Sequence, residues 1–180
     1  MNLSHLLTQS ARRLGDAVGF VRGEIRWSWA EMEARAGAFA SALAQDYGIG
    51  RGDRVLVQSA NCNQMFEAMF ACWRVGAVWV PANFRLSPDD LVWLAGTSGA
   101  RLLLCGADFA DHATACTPHV DATITLGAEY EALVARHMGA APPPVAVERD
   151  DPGNTNTSYQ EYMEVNLDTL DADLAQKIDV

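Results

Sequence analysis

Apolar and polar residues alternate along this chain with two different periods. Short β-prone runs stand at 54–58, 77–80, 101–105 and 122–126. Segments with helical apolar spacing stand at 64–75, from Ser87 to Gly99, and from Tyr130 to His137. Strands that alternate with helices form parallel sheets with right-handed crossovers. The pattern therefore predicts an α/β fold with a mostly parallel sheet flanked by helices, and the wholly apolar run 77–80 predicts a strand covered on both faces.

The first fifty residues predict a helix, a β-hairpin and a second helix. The apolar stripe of the first helix consists of Leu3, Leu6, Leu7, Ala11 and Leu14. Two β-prone runs flank the turn around Gly23, which is typical of a hairpin. Ser28 and Glu31 have the spacing of a capping box, so a helix is expected to begin there and to end near Gly48.

Composition and charge narrow the functional classes. The 180 residues are 49% hydrophobic and 20% charged, which is typical of a globular domain with a sizeable core. The net charge of −10 argues against nucleic acid as a partner, because phosphate backbones bind clusters of Lys and Arg. No apolar run reaches the length of a membrane span, and the first residues lack the basic and apolar regions of a secretory leader. We therefore expect no membrane span and a cytoplasmic protein.

Metal and thiol chemistry receive no support from the sequence. The cysteines Cys62, Cys72, Cys105 and Cys116 lie among apolar neighbours and are predicted to be buried free thiols. His112, Cys116 and His119 have metal-ligating side chains, but Pro118 interrupts a shared helical face and a fourth ligand is missing. We assign no metal site.

Four side chains that could take part in acid–base chemistry lie close together on the last predicted helix before residue 138. Glu129, Tyr130 and Glu131 precede His137 on one predicted helix. Residues of this kind are common on solvated helical faces, and we interpret them as helical surface. The sequence therefore offers no catalytic residue.

A constellation between residues 48 and 86 carries the most specific information. It reads Gly48-Ile49-Gly50-Arg51-Gly52-Asp53-Arg54-Val55, then Asn61, then Gly76-Ala77-Val78-Trp79-Val80-Pro81-Ala82-Asn83-Phe84-Arg85-Leu86. Its first glycines follow a helix and precede a strand, the reverse of a phosphate-binding loop, so they serve the backbone. In this order and spacing the residues resemble the N-terminal subdomain of AMP-forming acyl-CoA synthetases, in the adenylate-forming superfamily with luciferases and peptide-synthetase adenylation domains. The resemblance covers about residues 3–152.

The resemblance implies a reaction, its cofactors and one site residue. Enzymes of this family join a carboxylate to ATP with Mg²⁺ and then transfer the acyl group to coenzyme A. In some members an arginine of the segment that contains Arg85 approaches the phosphates of coenzyme A, a role that suits a guanidinium. The alternative for Arg85 is an ion pair with Asp89 or Asp90.

The sequence also departs from the family pattern. A lysine-bearing, Ser/Thr-Gly-rich ATP loop is expected soon after Pro152, where this chain reads Gly153-Asn154-Thr155-Asn156-Thr157-Ser158. The single lysine, Lys177, has no such loop around it. We therefore predict an N-terminal synthetase subdomain at 1–152, an acidic amphipathic helical tail at 153–180, and no cofactor or catalysis for this chain alone.

Three readings remain open. The chain is a fragment of a fatty-acid or other acid–CoA ligase, a non-catalytic interaction module, or one half of a split synthetase. The second and third readings imply a partner, either another copy of this chain or a complementing polypeptide that carries the ATP loop.

Overall fold

The computed structural model describes residues 2–143, so the predicted tail at 153–180 lies outside the described residues. The helices are α1 (Ser4–Leu14), α2 (Trp29–Gln45), α3 (Asn63–Val75), α4 (Pro88–Ser98), α5 (Ala110–Cys116) and α6 (Ala128–His137). The strands are β1 (Val18–Arg22), β2 (Ile25–Ser28), β3 (Arg54–Gln58), β4 (Val78–Pro81), β5 (Ala100–Gly106) and β6 (Ala122–Leu126). Single 3₁₀ turns at Ala107–Phe109 and Thr117–His119 flank α5.

A four-stranded parallel sheet in the order β4-β3-β5-β6 forms the centre of the fold. Successive side chains of a strand point to opposite faces. Val55 and Val57 of β3 therefore pack with α2, α3 and α6, whereas Leu56 between them packs with α4 and α5. The predicted fold class, a parallel sheet with helices on both faces preceded by an antiparallel β1–β2 hairpin, is confirmed.

The predicted helix ends are formed by local hydrogen bonds. Ser28 and Glu31 make the expected capping box, since the Glu31 amide donates to Ser28 Oγ over 3.1 Å and the Ser28 amide donates to the Glu31 carboxylate over 2.7 Å. Ser87 and Asp90 repeat this arrangement at the start of α4. Gly76 ends α3 at φ 78°, in the left-handed region where a side chain is disfavoured. These ends follow from residues within four positions of each other.

Strand β4 contacts both helical layers, as predicted, since Trp79 packs against the core of α2, α3 and α6 and Val80 against that of α4 and α5. It is an edge strand of the described sheet, and Val78 is 46% exposed. Only β3 pairs with it, because α4 carries the chain past β3 to form β5 on the far side. An apolar run indicates that a strand contacts other apolar groups, but not whether it has one neighbouring strand or two.

Helix α1 differs from its predicted apolar stripe. Leu7 is fully buried, whereas Leu3, Leu6 and Leu14 are exposed. The buried face includes Ser4 and meets Met32 and Ala36 of α2, so the helix is rotated away from the centre of its leucine stripe. Within residues 2–143 no helix is both long and apolar enough to cross a bilayer.

Candidate functional site

The carboxyl ends of β3, β4 and β5 meet at one edge of the sheet, where open α/β sheets bind ligands. The chain leaves β3 towards one face and β5 towards the other, so the connections reverse direction between these two strands. The backbone there is closely packed. A Cβ atom on Gly106 would lie 3.1 Å from Ser59 Oγ and 3.2 Å from the ring of Phe109. Candidate surfaces therefore lie on either side of this point.

On one side, the loop between β4 and α4 presents Arg85. Two side chains hold the backbone of this loop. Gln58 Nε2 donates to the carbonyl oxygen of Phe84 over 3.3 Å, and a ring nitrogen of His112 donates to the carbonyl oxygen of Leu86 over 2.7 Å. The Phe84 and Arg85 side chains are exposed. The loop thus has an anchored backbone and outward-facing side chains.

The guanidinium of Arg85 lies over an aromatic ring rather than beside a carboxylate. Its Cζ atom is 5.1 Å from the centroid of the Phe84 ring. The predicted ion pair of Arg85 with Asp89 or Asp90 is wrong, since neither carboxylate pairs with Arg85 within residues 2–143, and Asp90 accepts a hydrogen bond of 2.6 Å from Ser87 Oγ. The predicted contact of Arg85 with coenzyme A stays a prediction.

On the other side lies a groove of about 490 Å³, which we name the hairpin groove. Its lining residues are Phe20, Val21, Arg22, Asn61, Cys62, Met65, Phe66, Met69 and Trp79. One wall is the β1–β2 hairpin, which packs closely on α2: a Cβ atom on Gly19 would lie 2.7 Å from the Trp29 indole. Asn61 and Trp79 belonged to the constellation read from the sequence, but the groove itself was not predicted.

A buried charge cluster joins α2, α3 and α6. Arg35 Nε donates to Glu67 Oε1 over 2.9 Å, and its Nη2 donates to both carboxylate oxygens of Glu131 over 2.9 Å. Asn63 Nδ2 donates to the same Glu67 oxygen over 3.2 Å. The Trp27 ring lies 4.8 Å from Arg35 Cζ. Charged side chains are rarely buried unless paired, and this cluster meets that condition.

The carboxylates of the cluster keep the guanidinium of Arg35 positively charged. Burial opposes the positive charge, but hydrogen bonds to Glu67 and Glu131 raise the pKa of Arg35 above its usual value. Burial and the Glu67 carboxylate raise the pKa of Tyr130, so its hydroxyl stays protonated. Arg35 and Glu67 are 32 positions apart and Arg35 and Glu131 are 96 apart, so the sequence contains no short-range signal for the cluster.

The predicted helical surface at 129–137 is only half right. Tyr130 is fully buried against Phe39, with ring centroids 4.4 Å apart, and His137 is buried with its Nε2 3.0 Å from Asp46 Oδ2. Glu129 is exposed. Residues at i, i+3, i+4 and i+7 share one face of a helix, so Tyr130 and His137 lie inside with Leu133 and Val134 rather than in a solvent-facing acid–base group.

Histidines and cysteines do not come together as metal ligands. No group of three His, Cys, Asp or Glu side chains suited to a metal ion occurs within residues 2–143. Cys116 is buried, and His112 is engaged with the Leu86 carbonyl. Burial raises the pKa of Cys105 to about 11, which keeps this thiol protonated at neutral pH. Cys62 is half-buried, contrary to the prediction that all four thiols are buried.

Comparisons with known proteins point to one family. The AMP-binding enzyme family matches residues 7–161. The 3-hydroxybenzoate–CoA ligase of Aromatoleum sp. is 34% identical over 100 residues, which are 56% of this chain. The long-chain-fatty-acid–CoA ligase of Salmonella typhimurium is 33% identical over 110 residues, or 61% of this chain. In both cases the match spans 19% of the relative's length.

Solved structures agree with the described fold. The N-terminal domain of FACL13 from Mycobacterium tuberculosis is 25% identical, with a TM-score of 0.70 over 82% of this chain and 38% of that chain. A benzoate CoA ligase from Burkholderia xenovorans, at 23% identity, shares the fold with a TM-score of 0.71 over 83% of this chain and 30% of that one. The chain therefore belongs to the AMP-binding enzyme family, and it corresponds to the N-terminal portion of an AMP-forming acyl-CoA synthetase.

Proposed function

We propose that this chain supplies the first part of an acid–CoA ligase that uses ATP, Mg²⁺ and coenzyme A. The family match over residues 7–161 is the observation that carries this proposal. The relatives' names divide between hydroxybenzoates and long-chain fatty acids, so the substrate class is an organic acid with an apolar body. The role of residues 2–143 is structural support for the reaction: their sheet ends in anchored loops, while few of their side chains are placed for chemistry.

The chain by itself does not activate a carboxylate. Neutralising the triphosphate requires cations held close to it, and the family uses Mg²⁺ and lysines for this purpose. Lys177 is the single lysine of the sequence and has no glycine-rich loop beside it. We therefore place no reaction step on residues 2–143.

Arg85 is the residue proposed to contact the cofactor, through the phosphates of coenzyme A. Its guanidinium is exposed, and within residues 2–143 it makes no ion pair that would compete with a phosphate. Phe84 holds the side chain to one side by its ring. The fork of donors on a guanidinium matches phosphate oxygens, which a lysine would contact only as a point charge.

Exchange of pyrophosphate into ATP tests the proposed division of labour. The purified 180-residue chain is incubated with labelled pyrophosphate, ATP, Mg²⁺ and benzoate, 3-hydroxybenzoate or dodecanoate in turn. We expect no acid-dependent exchange by this chain. Exchange that appears only after addition of a polypeptide carrying the ATP loop would favour the split synthetase. Exchange by the chain alone would refute the proposal that it cannot adenylate.

Binding of coenzyme A tests Arg85. Coenzyme A and its analogue without the 3′-phosphate are titrated into the chain and followed by calorimetry. Arg85→Gln is expected to weaken coenzyme A binding. Arg12 is also exposed but lies on α1, so Arg12→Gln is expected to leave coenzyme A binding unchanged. Equal effects of the two substitutions would contradict a specific role for Arg85.

A further inference from the structure

The hairpin groove has the size and the walls of a small-molecule site. Its volume of about 490 Å³ lies within the range of roughly 300–1,000 Å³ found for ligand pockets. Phe20, Phe66 and Trp79 supply aromatic surface, and Met65 and Met69 supply adaptable thioethers. Such walls can bind apolar ligand bodies of different shapes, because the methionine side chains can adjust to them.

Three polar side chains that line the groove can donate hydrogen bonds to a ligand: those of Arg22, Asn61 and Trp79. Within residues 2–143 the guanidinium of Arg22, the amide of Asn61 and the indole nitrogen of Trp79 make no hydrogen bond, and Arg22 makes no ion pair. No carboxylate lines the groove. Arginine and indole N–H groups can only donate, so the matching ligand group is an acceptor, and the guanidinium favours a negative one.

The walls are held in place before any ligand arrives. Gly19 packs on the Trp29 indole and fixes the hairpin against α2. The Phe20 ring lies 6.0 Å from that of Phe66, which in turn lies 5.3 Å from the ring of Phe70. A preformed pocket loses less conformational entropy on binding than one that must be ordered.

We propose that the hairpin groove binds a small amphipathic anion, with an aromatic or aliphatic body against the methionines and rings and an anionic head at Arg22. This proposal rests on the lining of the groove alone and does not depend on the reaction proposed above. It requires only that the body be apolar and that the head carry negative charge.

Two fluorescent probes that share one apolar body test the proposal. The anionic probe is 1-anilinonaphthalene-8-sulfonate, and the neutral probe is N-phenyl-1-naphthylamine, which lacks the sulfonate. We expect saturable binding of the sulfonate at one site on the full 180-residue chain, tighter than binding of the neutral probe. Arg22→Gln is expected to weaken sulfonate binding by about tenfold, the loss of one charge-assisted hydrogen bond, and to leave the neutral probe unchanged.

A matched control lies on the other strand of the same hairpin. Arg26 on β2 is exposed but does not line the groove, so Arg26→Gln is expected to leave both affinities unchanged. Equal effects of the two substitutions on sulfonate binding would overturn the proposal, as would equal affinity of the unmodified chain for the two probes. Both arginines are exposed, so both variants are expected to fold.

Alkylation of Cys62 locates the probe. Cys62 lines the groove and is half-buried, whereas Cys72, Cys105 and Cys116 are buried. Bound sulfonate is expected to slow the reaction of Cys62 with iodoacetamide, measured by peptide mass spectrometry. Unchanged alkylation at saturating probe would overturn the proposal. Protection of Cys62 without probe, together with a mass that rises to a dimer with concentration, would overturn it in favour of a second copy of this chain in the groove.

Discussion

Replacement of Arg35 by methionine tests how the buried charge cluster contributes to stability. The methionine retains an apolar stem between α2 and α3 but removes the charge that faces Glu67. Glu67, with a side chain only 1% exposed, would keep one donor, Asn63 Nδ2 at 3.2 Å. Loss of Arg35 destabilises Glu131 less, because its side chain is 44% exposed and its carboxylate can be hydrated instead.

The expected loss of stability follows from the buried negative charge that Glu67 keeps once Arg35 is replaced. Breaking a buried ion pair on one side costs about 3–5 kcal/mol, because the partner charge is left uncompensated. We expect Arg35→Met to lower the free energy of unfolding by about 3 kcal/mol, a large part of the roughly 5–15 kcal/mol of a typical domain. Adding Glu67→Met removes the orphaned charge, so the double variant is expected to recover most of the loss.

Urea unfolding followed by tryptophan fluorescence measures these differences. With an m-value of about 2 kcal/mol/M, the Arg35→Met midpoint falls by about 1.5 M. Arg136→Met is the matched control, since Arg136 is 62% exposed and pairs with Asp46 at the surface, and it is expected to cost less than about 1 kcal/mol. The reasoning is refuted if Arg35→Met costs no more than this control, or if the double variant is less stable than Arg35→Met alone.

Three further predictions concern local structure. Gly99→Ala is expected to destabilise the chain by about 1 kcal/mol or more in urea unfolding, because Gly99, which ends α4, has φ 61°. Gly96→Ala, in open space within α4, is expected to stabilise the chain by up to about 1 kcal/mol. Ser28→Ala is expected to cost about 1 kcal/mol through loss of the capping box, and Ser10→Ala in the middle of α1 clearly less; equal losses would contradict a capping role. The hydrogen bond from the Ser28 backbone lowers the pKa of Glu31, so its stabilising contribution is complete above the unfolded value of about 4.3 and is lost as pH falls through the lower folded value. Glu31→Gln is therefore expected to flatten the decline of the urea midpoint between about pH 5 and pH 3, and an unchanged slope would contradict this assignment.

Sequence patterns determined the local structure of this protein. The strands of the parallel sheet, every helix except α5, the hairpin and the Ser28 cap were predicted, because each depends on residues within a few positions of one another. The constellation from Gly48 to Leu86 likewise indicated the family that matches residues 7–161.

Only the tertiary structure decided which strand lies at the edge, which face of a helix is buried and which charges meet. The position of β4 depends on the path of α4 past β3, and the rotation of α1 depends on its packing against α2. The Arg35 cluster and the hairpin groove likewise join residues from distant parts of the chain. Hydrophobic periodicity specifies that a face is apolar, whereas its neighbour is chosen by the packing of the whole domain, and buried charges gain their partners only when that packing is complete.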